Sequence, residues 1–265
     1  MGIAQVKHEE MKLDPEREVS RISEFIRSEL RMSGLSNIVV GLSGGVDSAL
    51  TVCLCARAVG STHVFSFLLP YRTSGPETRV HGRAVAEVAG ISCEEIEITP
   101  AVDALHAMLS TEDRIRRGNV MARVRMIVLY DRSAAHKALV AGTGNRTEAL
   151  LGYTTLHGDS ACGFAPIAHL YKCQVRQLAA HLGVPRDIIT KSPSADLWQG
   201  QTDEGELGFT YDEADWLLFN MFDRRKSDAE LEDLGFSRAL IDRVRILIAR
   251  SEFKRRMPNS LVRQA

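Results

Sequence analysis

Few features of this chain are extreme, and each shortage excludes something. Its five cysteines, Cys53, Cys55, Cys93, Cys162 and Cys173, are odd in number, form no Cys-x-x-Cys pair and flank no histidine at zinc spacing. A disulfide framework and a zinc ribbon are thereby excluded, and reduced, mostly buried thiols are expected. Cys162 stands apart, in a loop within the densest motif region. No apolar run approaches the ~18 residues of a membrane span, and the stretch from Met1 to Leu13 lacks a signal-peptide core. The expectation is a cytoplasmic protein without a membrane partner. An excess of one charge is also missing, since 33 Lys and Arg meet 34 Asp and Glu for a net charge of −1. That balance gives no global attraction to nucleic acid. No internal repeat is visible. At 265 residues, 45% hydrophobic and 25% charged, the chain reads as one soluble domain with a full core.

What is present is concentrated in Gly41-Leu42-Ser43-Gly44-Gly45-Val46-Asp47-Ser48. An apolar run, Ile38-Val39-Val40, precedes it and a helix-like run, Ala49 to Leu54, follows. A strand thus delivers a glycine-bearing loop onto a helix N-terminus, where bare N–H groups and the positive end of the dipole make an anion site. Gly44 and Gly45 allow close backbone approach, Ser43 and Ser48 add hydroxyls, and Asp47 can hold a metal ion against bound phosphates. No lysine follows the glycines, so this is not the common NTPase loop. Its Ser-Gly-Gly-x-Asp-Ser form resembles the loop of the ATP pyrophosphatases, which grip pyrophosphate while ATP adenylates a substrate.

The rest of the chain alternates. Asp14 as N-cap, Pro15 in the first turn, apolar Val19, Ile22, Ile26 and Leu30, and a terminal Gly34 predict a first helix within residues 1–35. Strands are expected at 38–42, 64–69, 94–98 and 138–141, with helices near 47–59, 77–89, 101–109 and 114–135. Such alternation predicts an α/β fold, a doubly wound parallel sheet with helices on both faces. Ligands then bind at the carboxyl ends of the strands. The nucleotide-binding core spans 36–193, and residues 194–210, polar and without period, are expected to form a mobile substrate loop. Helices over 211–265 make a helical C-terminal region with a basic tail.

Three further blocks carry chemistry. In Gly142-Thr143-Gly144-Asn145-Arg146-Thr147-Glu148, Thr143 follows a strand and Glu148 opens a helix. Glu148 alone reads as a first-turn acid complementing the dipole; on one rim with Asp47 it reads as a second oxygen ligand for Mg²⁺. Lys172 begins a helix, where the dipole disfavours a cation, so an anionic partner such as a triphosphate is expected; a solvated lysine is the plain alternative. The last block runs from Lys191 through Ser194 to Glu204. With Gly118-Asn119-Val120-Met121-Ala122-Arg123-Val124-Arg125-Met126, these motifs, in this order, resemble ammonia-dependent NAD synthetase over nearly the whole chain.

That resemblance implies an adenine nucleotide alpha hydrolase-like, Rossmann-like fold. It also implies a ligase that adenylates the nicotinate carboxylate of deamido-NAD (nicotinic acid adenine dinucleotide) with ATP and then amidates it with ammonia, the last step of NAD biosynthesis. Gly41 to Ser48 would grip the ATP phosphates, with Arg72, Thr143, Lys172 and Ser194 as further ATP contacts. Asp47 and Glu148 would hold Mg²⁺, and Arg123, Tyr130, His157, Asp159 and Lys254 would border deamido-NAD. Asp159 would meet the ammonia, so Asp47, Glu148, Asp159 and Lys172 form the implied catalytic set. A homodimer is implied, with the first helix and the 114–135 helix as interface elements. The chain departs from the family where a lysine, an aspartate and a histidine are usual, carrying Leu156, Gly163 and Phe253. No amidase domain fits in this length, so free ammonia is expected in place of glutamine. The alternatives are another ATP pyrophosphatase acting on a nucleotide or tRNA base, and a nucleotide sensor without turnover. A thiolating enzyme would want a reactive cysteine pair, a tRNA enzyme more than the modest cluster Arg114, Arg116, Arg117, Arg123 and Arg125. Retention of both Asp47 and Glu148 argues against the sensor.

Overall fold

A computed structural model describes residues 9–110, 112–198, 200–258 and 260–261. Helix α1 (Pro15–Ser33) starts where Asp14 accepts from the Arg17 amide at 3.1 Å and stops at Gly34, whose φ of 69° returns its N–H to the last turn. Strands β1 (Asn37–Leu42), β2 (Val64–Leu68), β3 (Ser92–Glu95) and β4 (Ala138–Val140) form a parallel sheet in the order β3-β2-β1-β4. Helices α2 (Val46–Val59), α3 (Pro76–Ala89), α4 (Thr99–Leu109) and α5 (Arg114–His136) make the crossovers.

The central strands are apolar on both faces because helices cover both. Ile38, Val40 and Leu42 pack with Ile22, Ile26, Leu50 and Leu54 of α1 and α2. Val39 and Phe67 pack on the other side with Val102, Met121 and Val124 of α4 and α5. The chain winds outward from β1 to β3, then returns to β4 beside β1. That reversal opens a crevice beyond the carboxyl ends of β1 and β4, where both glycine-bearing blocks emerge.

A second core lies in the C-terminal region. It joins α6 (Arg146–Leu151), α10 (Tyr211–Phe222), α11 (Asp228–Asp233) and α12 (Arg238–Ser251). Between them come α7 (Lys172–His181), α8 (Arg186–Thr190) and α9 (Asp203–Leu207). Two details differ from the sequence expectation. β3 is shifted to Ser92–Glu95, although Ile96 and Ile98 still donate to Leu68 and Pro70 carbonyls along the same path. Residues 203–207 are helical, started by Thr202 accepting from the Gly205 amide. The segment before α9 is tied down: Asp196 accepts from the Gly75 amide and the Thr78 hydroxyl at 3.3 and 3.0 Å, and Leu197 and Trp198 abut Gly118. Among the described residues no helix is long and apolar enough to cross a membrane, and the five cysteines are free.

Candidate active site

Three helix N-termini meet at the crevice. Asp47 sits in the first turn of α2, Glu148 in that of α6 and Lys172 at the start of α7. The Lys172 ammonium, 3% exposed, donates to Asp47 Oδ2 at 2.5 Å and to Glu148 Oε1 at 3.0 Å, and lies 4.8 Å above the Tyr211 ring. Asn145 reaches both carboxylates: its Nδ2 donates to Asp47 Oδ1 at 2.8 Å and its backbone amide to Glu148 Oε2 at 3.4 Å, while its Oδ1 accepts from the Glu148 amide at 3.0 Å to close a capping box. The local sequence explains the arrangement, since Asn-x-x-Glu caps α6 while the anionic pair offsets the unfavourable lysine at α7.

Burial pushes the Glu148 carboxyl up to about 7, with Lys172 pulling the other way and Asp47 adding to the rise. The same two carboxylates raise the Lys172 ammonium above its ordinary value, against its burial. A raised acid must lose its proton before it can ligate a cation. Mg²⁺ binding without nucleotide should therefore strengthen from about pH 6 to about pH 8 and release a proton. Calorimetry in two buffers of different ionisation enthalpy reads both effects; affinity independent of pH would contradict the assignment.

The loop before α2 is shaped for an anion. Gly44 has φ 72° and lies against Thr78, whose carbonyl oxygen would be 2.9 Å from an added Cβ. Gly45, the N-cap residue, has no side chain to cap α2, so first-turn N–H groups are left for a ligand. Ser48 Oγ accepts from the Ser43 amide and donates to the Gly45 carbonyl, bracing the turn. Val46 is buried in the main core and anchors the loop from behind.

A cavity of about 470 Å³ opens from this point, bordered by Gly41, Leu42, Ser43, Thr143, Asp159 and Lys254 among others. Lys254 donates to the Gly152 and Thr154 carbonyls at 2.8 and 2.6 Å, which orders the turn on the far wall. Asp159 is exposed to the cavity; its Oδ1 accepts from the Thr155 amide at 2.7 Å, and loss of water around its carboxyl raises its pKa. Arg123 donates to the Leu156 carbonyl from an exposed face of α5. Tyr130 shares that face and His157 is also exposed; neither borders this cavity. Ser194 is exposed, accepting from the Asp196 amide at 3.1 Å beside the cavity wall. Arg72 is placed elsewhere, its guanidinium paired with Asp103 and over the Tyr71 ring, because α4 supplies a closer anion than the crevice does.

Of the three departures, Gly163 has a packing reason. An added Cβ would come 3.2 Å from Leu139 of β4, while its amide donates to the Val140 carbonyl. Leu156 serves through its carbonyl, on Arg123, and Phe253 is 59% exposed. Two residues escaped the sequence reading. Asp203, 4% exposed at the cavity wall, accepts from the Tyr211 hydroxyl at 3.0 Å. Arg125 borders the same cavity, its Nε on the Leu69 carbonyl. Both lie within motif blocks already singled out, Arg125 in 118–126 and Asp203 in the block ending at Glu204, but neither was assigned a role.

Two carboxylates already bridged by an ammonium fit a divalent cation, because the site's donors balance a positive charge in the resting chain. Among the described residues no cluster of three or more His, Cys, Asp or Glu could hold a metal, so such an ion would complete its shell with phosphate and water oxygens.

A parallel α/β sheet with an uncapped phosphate loop at its switch point and a paired-carboxylate site beside it defines a nucleotide-using α/β enzyme. The chain belongs to the NAD synthase family, whose model matches residues 18–258. It is 50% identical over 234 residues to the NH(3)-dependent NAD(+) synthetase of Chlorobium phaeobacteroides, covering 88% of this chain and 84% of that protein. The protein of that name from Trichlorobacter lovleyi is also 50% identical over 234 residues, covering 88% and 86%. Among solved structures, NH3-dependent NAD synthetase from Campylobacter jejuni superimposes with a TM-score of 0.81 at 31% identity, covering 95% of this chain and all of that one. NMN synthetase from Francisella tularensis gives 0.83 at 30% identity, covering 94% and 99%.

Proposed function

We propose that this chain is an ammonia-dependent NAD synthetase acting in the cytoplasm, converting deamido-NAD, ATP and ammonia to NAD, AMP and pyrophosphate. The meeting of Asp47, Glu148 and Lys172 beside the phosphate loop carries this reading. A carboxylate is a poor electrophile until its oxygen becomes a good leaving group. In the first step the nicotinate carboxylate forms a bond to the α-phosphorus while the α–β bridge breaks. Ammonia then forms the C–N bond as the acyl C–O bond to AMP breaks. Loop amides, Ser43, Ser48 and Lys172 would stabilise charge on the departing pyrophosphate, with Thr143 and Ser194 towards the rest of ATP. Mg²⁺, held by Asp47 and Glu148, would neutralise phosphate charge. Asp159, exposed to the cavity and with its carboxyl pKa raised, is suited to take the proton released from ammonium.

Arg123, Ile127 and Tyr130 recur at i, i+4 and i+7 on α5, with Ile127 58% and Tyr130 41% exposed. This stripe supports a homodimer in which α5 brings Arg123 and Tyr130 of one chain towards deamido-NAD at a shared border, with His157 nearby. The test mixes purified protein with ATP, Mg²⁺, deamido-NAD and ammonium chloride and follows NAD and AMP. Equimolar NAD and AMP are expected, with no turnover on glutamine. AMP without NAD, or preference for the mononucleotide over the dinucleotide, would overturn the substrate assignment.

A further inference from the structure

Asp215 lies outside the cavity, on α10, and is 1% exposed. A buried carboxylate normally answers a cation, yet both oxygens of this one are occupied by uncharged donors. Its Oδ1 accepts from the Thr147 hydroxyl at 2.5 Å and its Oδ2 from the Cys173 amide at 2.7 Å. Thr147 Oγ in turn accepts from the Lys172 amide at 3.1 Å. Thr147 directly precedes Glu148, and Cys173 directly follows Lys172. At the start of α7 the Tyr171 amide goes to Gln174 of the same helix at 3.0 Å, and the next two amides, of Lys172 and Cys173, go to Thr147 and to Asp215 of another helix. One side chain therefore clamps the starts of the two helices that carry opposite charges to the site.

We propose that Asp215, acting through Thr147, is a positioning residue that sets the separation of Glu148 and Lys172 and so the charge balance of the metal and pyrophosphate site. The proposal rests on the roles given above to Glu148 and Lys172. It differs from ordinary core packing in what its loss would disturb. A loosened bracket shifts the phosphate side by a fraction of a bond length, while the deamido-NAD side, held by Lys254 on the Gly152 and Thr154 carbonyls, keeps its own ties.

Thr147→Val removes the hydroxyl at constant shape, Thr147→Ser keeps it, and Asp215→Asn keeps shape while losing charge. Circular dichroism establishes that each variant is folded, and Asp215→Asn serves if Thr147→Val does not fold. In the folded variant kcat should fall ~10²-fold, and Mg·ATP affinity by calorimetry should weaken ~10-fold. The KM for deamido-NAD should stay within ~twofold, and Thr147→Ser should keep all three close to the parent. A folded Thr147→Val or Asp215→Asn with parental kcat and Mg·ATP affinity overturns the proposal, as does an equal loss on the deamido-NAD side. Lys172→Met separates the layers. If it is inactive while Thr147→Val is normal, only the bracket fails; if it turns over like the parent, the underlying reading fails.

Discussion

Lys172→Met should lower NAD synthesis by ~10³-fold and, in the same protein, make Mg²⁺ bind more tightly in the absence of nucleotide. The two effects have opposite signs because the ammonium has two tasks. In the resting chain it sits between Asp47 and Glu148 at 2.5 and 3.0 Å, as an internal cation in the place a metal would take. In the proposed reaction it would become a donor for the departing pyrophosphate. Removing it leaves two enclosed carboxylates facing each other, which costs roughly 3–5 kcal/mol of stability, and any divalent cation relieves that repulsion. Melting temperature against Mg²⁺ concentration measures the relief, and steady-state NAD formation measures the loss. A variant that binds Mg²⁺ no better than the parent would show that the lysine does not compete with the metal.

The second large effect is expected at a residue with no chemistry. Gly152→Ala should destabilise the protein by roughly 3 kcal/mol, combining left-handed strain with overpacking. Gly152 ends α6 with φ 70°, and an added Cβ would lie 2.0 Å from the Cβ of Ser251, which is buried in α12 with its hydroxyl on the Leu247 carbonyl. Helix α12 must retreat, moving Lys254 away from the Gly152 carbonyl it holds. A melting temperature lower by ~10 °C and a raised KM for deamido-NAD are expected together. Adding Ser251→Gly should recover the steric share and leave the strain; a double mutant no better than the single would put the cost elsewhere.

Local rules made much of this legible. Asp14, Pro15 and Gly34 bracket α1 because capping and left-handed termination are settled within a few residues. Lys172 was conspicuous because a lysine at a helix start needs an anion, and the structure supplies two. The pairing of Arg72 was not legible: a position after a strand says where the backbone goes, and only tertiary packing brings Asp103 to its guanidinium. The contacts of Asp203, inside a motif block, and of Asp215, outside every block, were not legible because their partners lie 8 to 68 residues away and no spacing rule links them. The anchors of Asp196 within 194–210 were not legible either, because Gly75 and Thr78 lie more than 110 positions earlier.

That anchor joins two working parts through one threonine. Thr78 gives its hydroxyl to Asp196 at 3.0 Å, while its backbone is the surface against which Gly44 turns. The segment carrying Asp196 and the glycine-bearing loop thus share one support. A substitution at Thr78 therefore reaches both the Asp196 tether and the turn at Gly44.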